Sequence, residues 1–189
     1  FQSLNSAATS QGNVAIGNFA LEELTFNGNS FNTAVGFEAG KELVGGIKNV
    51  FMGGYAGNVS TDVDNTVIIG YNAGAAVMTS GADGTVAIGH SALAGLTTGA
   101  SNIAIGLKSL TVHTTGARNI AIGELAMTDT NAGSTSLGSA DNVFIGYTAG
   151  GGTWTDAASN QNIGIGTNVM NGALAGALNN VGIGNAALN

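Results

Sequence analysis

Cysteine and proline are absent from the 189 residues, and charged side chains make up only 8% of them, against roughly 25% in ordinary soluble domains. Without cysteine there is no disulfide and no thiolate metal site. Basic side chains are scarcest: Lys41, Lys48, Lys108 and Arg118 are the only four, and the net charge is −7. Nucleic-acid binding needs several cations gathered on one face, and four scattered ones argue against it. Low charge and a positive mean hydropathy would suit a membrane. Yet glycines and polar residues interrupt every apolar run well short of the ~18 residues that a spanning helix needs, so no membrane insertion is expected. The chain opens on Phe1 rather than Met, which reads as a processed chain or a piece of a longer one.

What is abundant is glycine, 32 residues, placed with a period. Asn102-Ile103-Ala104-Ile105-Gly106 is repeated as Asn119-Ile120-Ala121-Ile122-Gly123, and searching outward finds the same five-residue unit along the whole chain. Its fifth position is Gly17, Gly36, Gly53, Gly70, Gly89, Gly106, Gly123, Gly146, Gly166 and Gly184, at spacings of 19, 17, 17, 19, 17, 17, 23, 20 and 18. Positions two and four are almost always Val or Ile, and position eight is usually Ala. A fixed period of this length marks a solenoid. Each unit is β-branched and bounded by Asn and Gly, the signature of a short strand between turns, and glycine in every repeat leaves no 3.6-residue stripe for a helix.

The expected fold is therefore all-β: a parallel β-solenoid of about ten coils over residues 13–189, after a leading turn or partial repeat at 1–12. No composition shift marks a second domain. Each coil is expected to hold a second short strand, as at Leu110-Thr111-Val112. At the ~4.8 Å interstrand spacing, ten coils make a rod roughly 45–50 Å long. Excursions are expected at Thr61–Asp64, Ser80–Asp83, Asp129–Asp141 and Gly150–Asp156; solenoid insertions gather on one side, often the binding side.

Alternation along a strand suggests that positions two and four fill the coil interior and that position three points outward. Position three is Ala15, Ala34, Phe51, Ile68, Ala87, Ala104, Ala121, Phe144, Gly164 and Gly182, none of them polar. A soluble monomer rarely exposes such a stripe, so these ten residues are the expected interface of a parallel homotrimer, with end-to-end joining into filaments as a further expectation. Position one is Asn13, Asn32, Asn49, Asn102, Asn119, Asn142, Asn162 and Asn180, with Thr66 and Thr85 in the other two coils. The column reads as a stacked amide ladder rather than a metal or glycan site.

The units Thr98-Gly99-Ala100-Ser101-Asn102-Ile103-Ala104-Ile105-Gly106-Leu107-Lys108-Ser109-Leu110 and Thr115-Gly116-Ala117-Arg118-Asn119-Ile120-Ala121-Ile122-Gly123-Glu124-Leu125-Ala126-Met127 resemble the Thr-Gly-x-x-Asn-Thr-Ala-Ile-Gly-x-x-Ala-Leu repeats of phage tail fibres. More distantly they are similar to the head repeats of trimeric autotransporter adhesins, which are parallel β-rolls. The resemblance covers almost the whole chain. It implies a trimeric, non-enzymatic attachment fibre on a virion or cell surface, without cofactors, whose partners are other copies of itself and a cell-surface glycan or protein.

The rival expectation is a polysaccharide-degrading spike. Its candidate groups are the loop carboxylates Asp62, Asp64, Asp83, Asp129, Asp141 and Asp156, since paired carboxylates hydrolyse glycosides; against it, an Asp before a strand commonly caps its own turn. Trp154, the one tryptophan, in a glycine-rich loop, is the candidate for stacking on a sugar. Tyr55, Tyr71 and Tyr147 follow repeat glycines and are expected to pack at the coil corner. His90 and His113 have no partner at ligand spacing. The six-residue aliphatic period of acyltransferase helices and the Gly-Gly-x-Gly-x-Asp calcium repeat are both missing.

Overall fold

The computed structural model describes residues 3–4, 10–130, 138–155, 157–172 and 174–189. The chain is an all-β parallel solenoid. Its strands are β1 (Ser10–Gln11), β2 (Val14–Ile16), β3 (Gly28–Asn29), β4 (Thr33–Val35), β5 (Val50–Met52), β6 (Val67–Ile69), β7 (Val86–Ile88), β8 (Ile103–Ile105), β9 (Ile120–Ile122), β10 (Val143–Ile145), β11 (Ile163–Ile165) and β12 (Val181–Ile183). Ten of them, β2 and β4 to β12, form one sheet in sequence order, with unit pairing to unit, as in Ile103↔Ile120 and Ala104↔Ala121. β1 and β3 make a separate parallel pair. The helical content among the described residues is the 3₁₀ turn Ser80–Ala82.

The expected second strand is not formed at Leu110-Thr111-Val112; outside the ten-stranded sheet the described residues pair only as β1 with β3 and at the Asn160↔Leu178 bridge. Leu110 to Val112 lie in turns, and each coil has a single three-residue strand of this sheet. Coil-to-coil hydrogen bonding nevertheless continues around the turns. The residue before each unit and positions seven and nine all have left-handed φ, as at Ser101 (58°), Lys108 (54°) and Leu110 (49°). Such a conformation costs a non-glycine residue ~1–2 kcal/mol. Here it aims the N–H along the rod: Ser101 donates to the Asp83 carbonyl at 2.9 Å, Lys108 to His90 at 2.9 Å and Leu110 to Ala126 at 3.0 Å. The pattern begins before the first full unit, because Leu4 (φ 51°) donates to Ala20 at 3.1 Å. The leading segment thus joins the solenoid at Leu4 and at β1.

The repeat glycine satisfies two constraints at once. Gly106 has φ 133°, outside the range of L side chains, and a Cβ there would collide with the Gly123 carbonyl of the next coil.

The two strand faces are the reverse of the expectation. Position three points inward: Ala34, Phe51, Ile68, Ala87, Ala104, Ala121 and Phe144 are fully buried, Gly164 and Gly182 are buried, and Ala15 is partly buried against the core. These ten residues are solenoid core and are not available as an interface. Positions two and four, the Val and Ile columns, point outward. The physical reason is the thinness of the coil. Position three faces positions eight and nine across it, and the sizes compensate. Phe51, Ile68 and Phe144 stand in coils whose ninth residue is Gly57, Gly74 or Gly150; Ala87, Ala104 and Ala121 stand opposite Leu93, Leu110 and Met127. A Cβ on Gly74 would lie 3.3 Å from Ile68 Cγ2 and 2.8 Å from Met78 Cε. A Cβ on Gly164 would meet the Phe144 ring and Val169, and one on Gly182 would meet Val169, Met170 and Leu188.

This pairing predicts a compensated exchange. Ile68→Ala alone should cost ~2–4 kcal/mol through the cavity it leaves, and Gly74→Leu alone should be destabilising through overpacking. The double variant copies the neighbouring Ala87/Leu93 coil and should lose at least 1 kcal/mol less than the sum. Urea denaturation of the four proteins measures the coupling; strictly additive losses would contradict this core.

Candidate functional site

Outside the core, the largest organised feature is the outer face of the ten-stranded sheet. Its twenty residues, at positions two and four, are apolar with the single exception of Thr33. The inner rungs shield one another and are half-buried, whereas the end rungs are open, Ile16 at 60% and Ile183 at 70% exposure. No charged side chain occupies either column. Nine intervals of ~4.8 Å make the face roughly 43 Å long.

The sheet is held in register by the Asn column. Asn102 Oδ1 accepts the Asn119 backbone N–H at 2.9 Å and its Nδ2–H at 3.1 Å, and Asn119 Oδ1 does the same for Asn142 at 3.1 and 3.0 Å. The Nδ2 groups also reach carbonyls inside the coil, Asn102 to Gly116 at 2.8 Å and Asn142 to Ser159 at 2.8 Å. The expected amide ladder is therefore present, in two runs. One extends from Asn13 through Asn32 and Asn49 to Thr66; the other starts at Asn102 and ends at Asn180. At Thr85, between them, the buried hydroxyl has no hydrogen-bond partner among the described residues.

At the corner after the strand runs a line of rings. Phe19, Phe37, Tyr55 and Tyr71 contact in edge-to-face pairs with centroids 6.0, 5.3 and 5.8 Å apart, and His90 stacks on Tyr71 at 5.4 Å. Tyr55 and Tyr71 therefore pack at the corner as expected, and Tyr147 lies at the position of Tyr71 four coils further on.

Trp154 is not a surface aromatic. It is fully buried, packs edge-to-face on Phe144 at 5.8 Å, and donates its indole N–H to the Gly150 carbonyl at 3.0 Å. The glycine-rich loop folds inward over Phe144, whose ring leaves room for no side chain at Gly150. Sugar stacking on Trp154 is excluded by that burial.

The carboxylates serve the turns. Asp64 Oδ1 accepts the Ile47 N–H at 2.8 Å, and Asp83 Oδ1 accepts the Asp64 N–H at 2.9 Å. Partial burial pushes the Asp83 carboxyl upward, against the lowering effect of that hydrogen bond, and Asp64 and Asp62 add repulsion. Asp129 accepts from Thr153 at 2.6 Å. Asp141 receives two hydrogen bonds from Arg118, at 2.6 and 2.9 Å, which hold it below the usual carboxylate range. Asp156 lies outside the described residues. Among the described residues no group of three acidic or histidine side chains is placed to hold a metal ion, and no helix is long and apolar enough to cross a membrane.

His113 is the residue whose role sequence reasoning left blank. It occupies an interior column that holds Leu24, Leu43 and Leu96 in three other coils and the buried Ser60 and Thr130 in two more. Its Nδ1 lies 3.0 Å from Thr130 Oγ1, and its Nε2 lies 3.0 Å from the Gly116 carbonyl and 3.1 Å from Asn119 Nδ2. Burial lowers its pKa to about 4 despite the Gly116 bond. The only sequence signal was its leucine-column spacing.

No family model, curated protein or solved structure matches this chain. The functional reading rests on the geometry above.

The buried imidazole makes stability pH-dependent. Its folded pKa lies below the unfolded value of 6.5, so from pH 6.5 down to about 4 the unfolded chain takes up a proton that the folded one refuses. Stability should fall through that window by up to roughly 3 kcal/mol and level off below it for this group. Urea melts between pH 7.5 and 4 on wild type and His113→Leu measure this; a wild-type slope matched by the leucine variant would contradict the assignment.

Proposed function

We propose that this chain is a structural and adhesive segment of a trimeric surface fibre of the phage tail-fibre or adhesin type. It would sit on a virion tail or cell surface and serve attachment to a cell-surface glycan or protein, without catalysis. The observation that carries the reading is the apolar outer face, interrupted only at Thr33. A face ~43 Å long and three residues, or about 10 Å, wide presents on the order of 430 Å². That is the size of patch that on a monomer is often functional, about half of the ~800 Å² that each partner buries in a stable complex. Its occupant must be as long, as flat and as apolar as the face itself, and another copy lying parallel meets all three conditions. The interface therefore consists of Val and Ile at positions two and four, with Ala104 and its equivalents behind them in the core.

The threefold count is supported by the resemblance to tail-fibre and adhesin repeats. The non-catalytic part is supported by Asp64, Asp83, Asp129 and Asp141, which are engaged with backbone N–H groups, a threonine and an arginine. Rigidity suits the role: among the described residues neighbouring coils are hydrogen-bonded both at the strand and at the turns, with no proline to interrupt the ladder.

Light scattering on wild type and on Ile105→Glu/Ile122→Glu tests this. Wild type should have three times the 18.5 kDa chain mass, and the variant should be a folded monomer with an unchanged circular dichroism spectrum. A well-folded wild-type monomer would sink the proposal. Release of reducing ends from bacterial polysaccharides by the purified protein would overturn its non-catalytic part.

A further inference from the structure

The apolar surface does not stop at the edge of the sheet. Beyond the repeat glycine the chain turns a corner, and large apolar side chains continue there at position six or seven. Phe37, Tyr71 and Tyr147 occupy position six and are 42%, 55% and 49% exposed. Phe19, Tyr55 and Leu125 occupy position seven, are half-buried, and support them from the other rungs. The other member of each pair is small or polar, as in Glu38, Asn72 and Thr148. The alternation gives the corner a ridge of protruding rings rather than a continuous wall. The ridge fades where the corner becomes Thr167-Asn168 and Asn185-Ala186.

We infer that this ring ridge is a second contact between copies of the chain, packing on a neighbour that lies around the corner from the sheet. The inference rests on the fibre reading above and deepens it. The ridge is continuous with positions two and four, so whatever covers the sheet reaches its border. A single copy laid face to face covers one plane and leaves the corner wet. Three copies about an axis place one neighbour against the sheet and a second beside the corner, so both surfaces are covered. The ring geometry favours a protein occupant over a sugar. Neighbouring rings from Phe19 to Tyr71 are inclined by 73° to 85° and Tyr71 and His90 lie near-parallel at 25°, so the flat platform is no longer than that pair, whereas protruding edges interdigitate with side chains. Exposed rings at an interface also act as anchors, since aromatic residues dominate binding energy where water is excluded.

The test is site-specific photocrosslinking with benzoylphenylalanine at position 71, and at Val77 as the control. Val77 is equally apolar and exposed but belongs to neither the sheet nor the ridge. Position 71 should give covalently linked chains and position 77 should not. Independently, Phe37→Ser/Tyr71→Ser/Tyr147→Ser should shift the concentration at which the oligomer dissociates at least tenfold upward, beyond the loss of monomer stability from the Phe19, Tyr55 and His90 ring contacts, which urea denaturation of the monomer measures separately. An oligomer of wild-type mass that yields no crosslink from position 71, or equal crosslinking from both sites, would overturn the ridge while leaving the sheet interface standing. A monomeric wild type would overturn both, and the measured mass tells the two failures apart.

Discussion

Every coil must hand its backbone hydrogen bonds to the next, and the rest of the molecule follows from that. A strand of three residues satisfies only a few N–H and C=O groups, and a buried unpaired one costs ~1–3 kcal/mol. The chain solves this with three left-handed residues per coil, each turning its N–H along the rod axis. The local penalty at Lys108 or Leu110 is offset because the alternative is an unpaired amide at a packed coil junction. The repeat glycine and the Asn column belong to the same solution. The first lets two backbones approach where a Cβ cannot fit, and the second replaces a missing backbone acceptor with Oδ1.

This explains what was legible in the sequence. A period that reserves Gly and Asn for fixed places could be read directly, and with it came the solenoid, the strand positions and the amide ladder. The second strand was not legible, because Leu110-Thr111-Val112 has the composition of a strand and only the left-handed φ of Leu110 removes it. The two strand faces were assigned the wrong way round for a related reason. Larger aliphatics at positions two and four look like core, but alternation fixes only that they share a face, and the coil is too thin to hold both columns. The deciding signal was already present in the pairing of Ile68 with Gly74 and of Ala104 with Leu110. Size compensation across six residues belongs to residues that touch. Trp154 was misjudged through its loop, where the flanking glycines make room for an inward ring.

Correcting the faces strengthens the case for an assembly. An outward column of alanines would be a modest apolar stripe; an outward double column of Val and Ile is much larger, and the ring ridge extends it. The interior is already filled by position three, so those side chains have no place to go within the monomer. The polar residues are placed consistently with this. Arg118, Asp141 and Lys48 lie before the unit, at the opposite border of the sheet from the rings, and the carboxylates fasten turns. The sheet and the ring corner thus carry the rod's continuous apolar surface, while Phe31, Val44, Val77, Val112 and Leu178 are exposed outside it.

The most direct measurement is small-angle X-ray scattering at several protein concentrations, since it reports mass and length together. Side-by-side packing predicts a particle with the mass of three chains that is no longer than one, ~45 Å, with a correspondingly thicker cross-section. A particle of one chain's mass, or one that gains mass only by growing longer, would contradict the claim that the sheet face is where the copies meet.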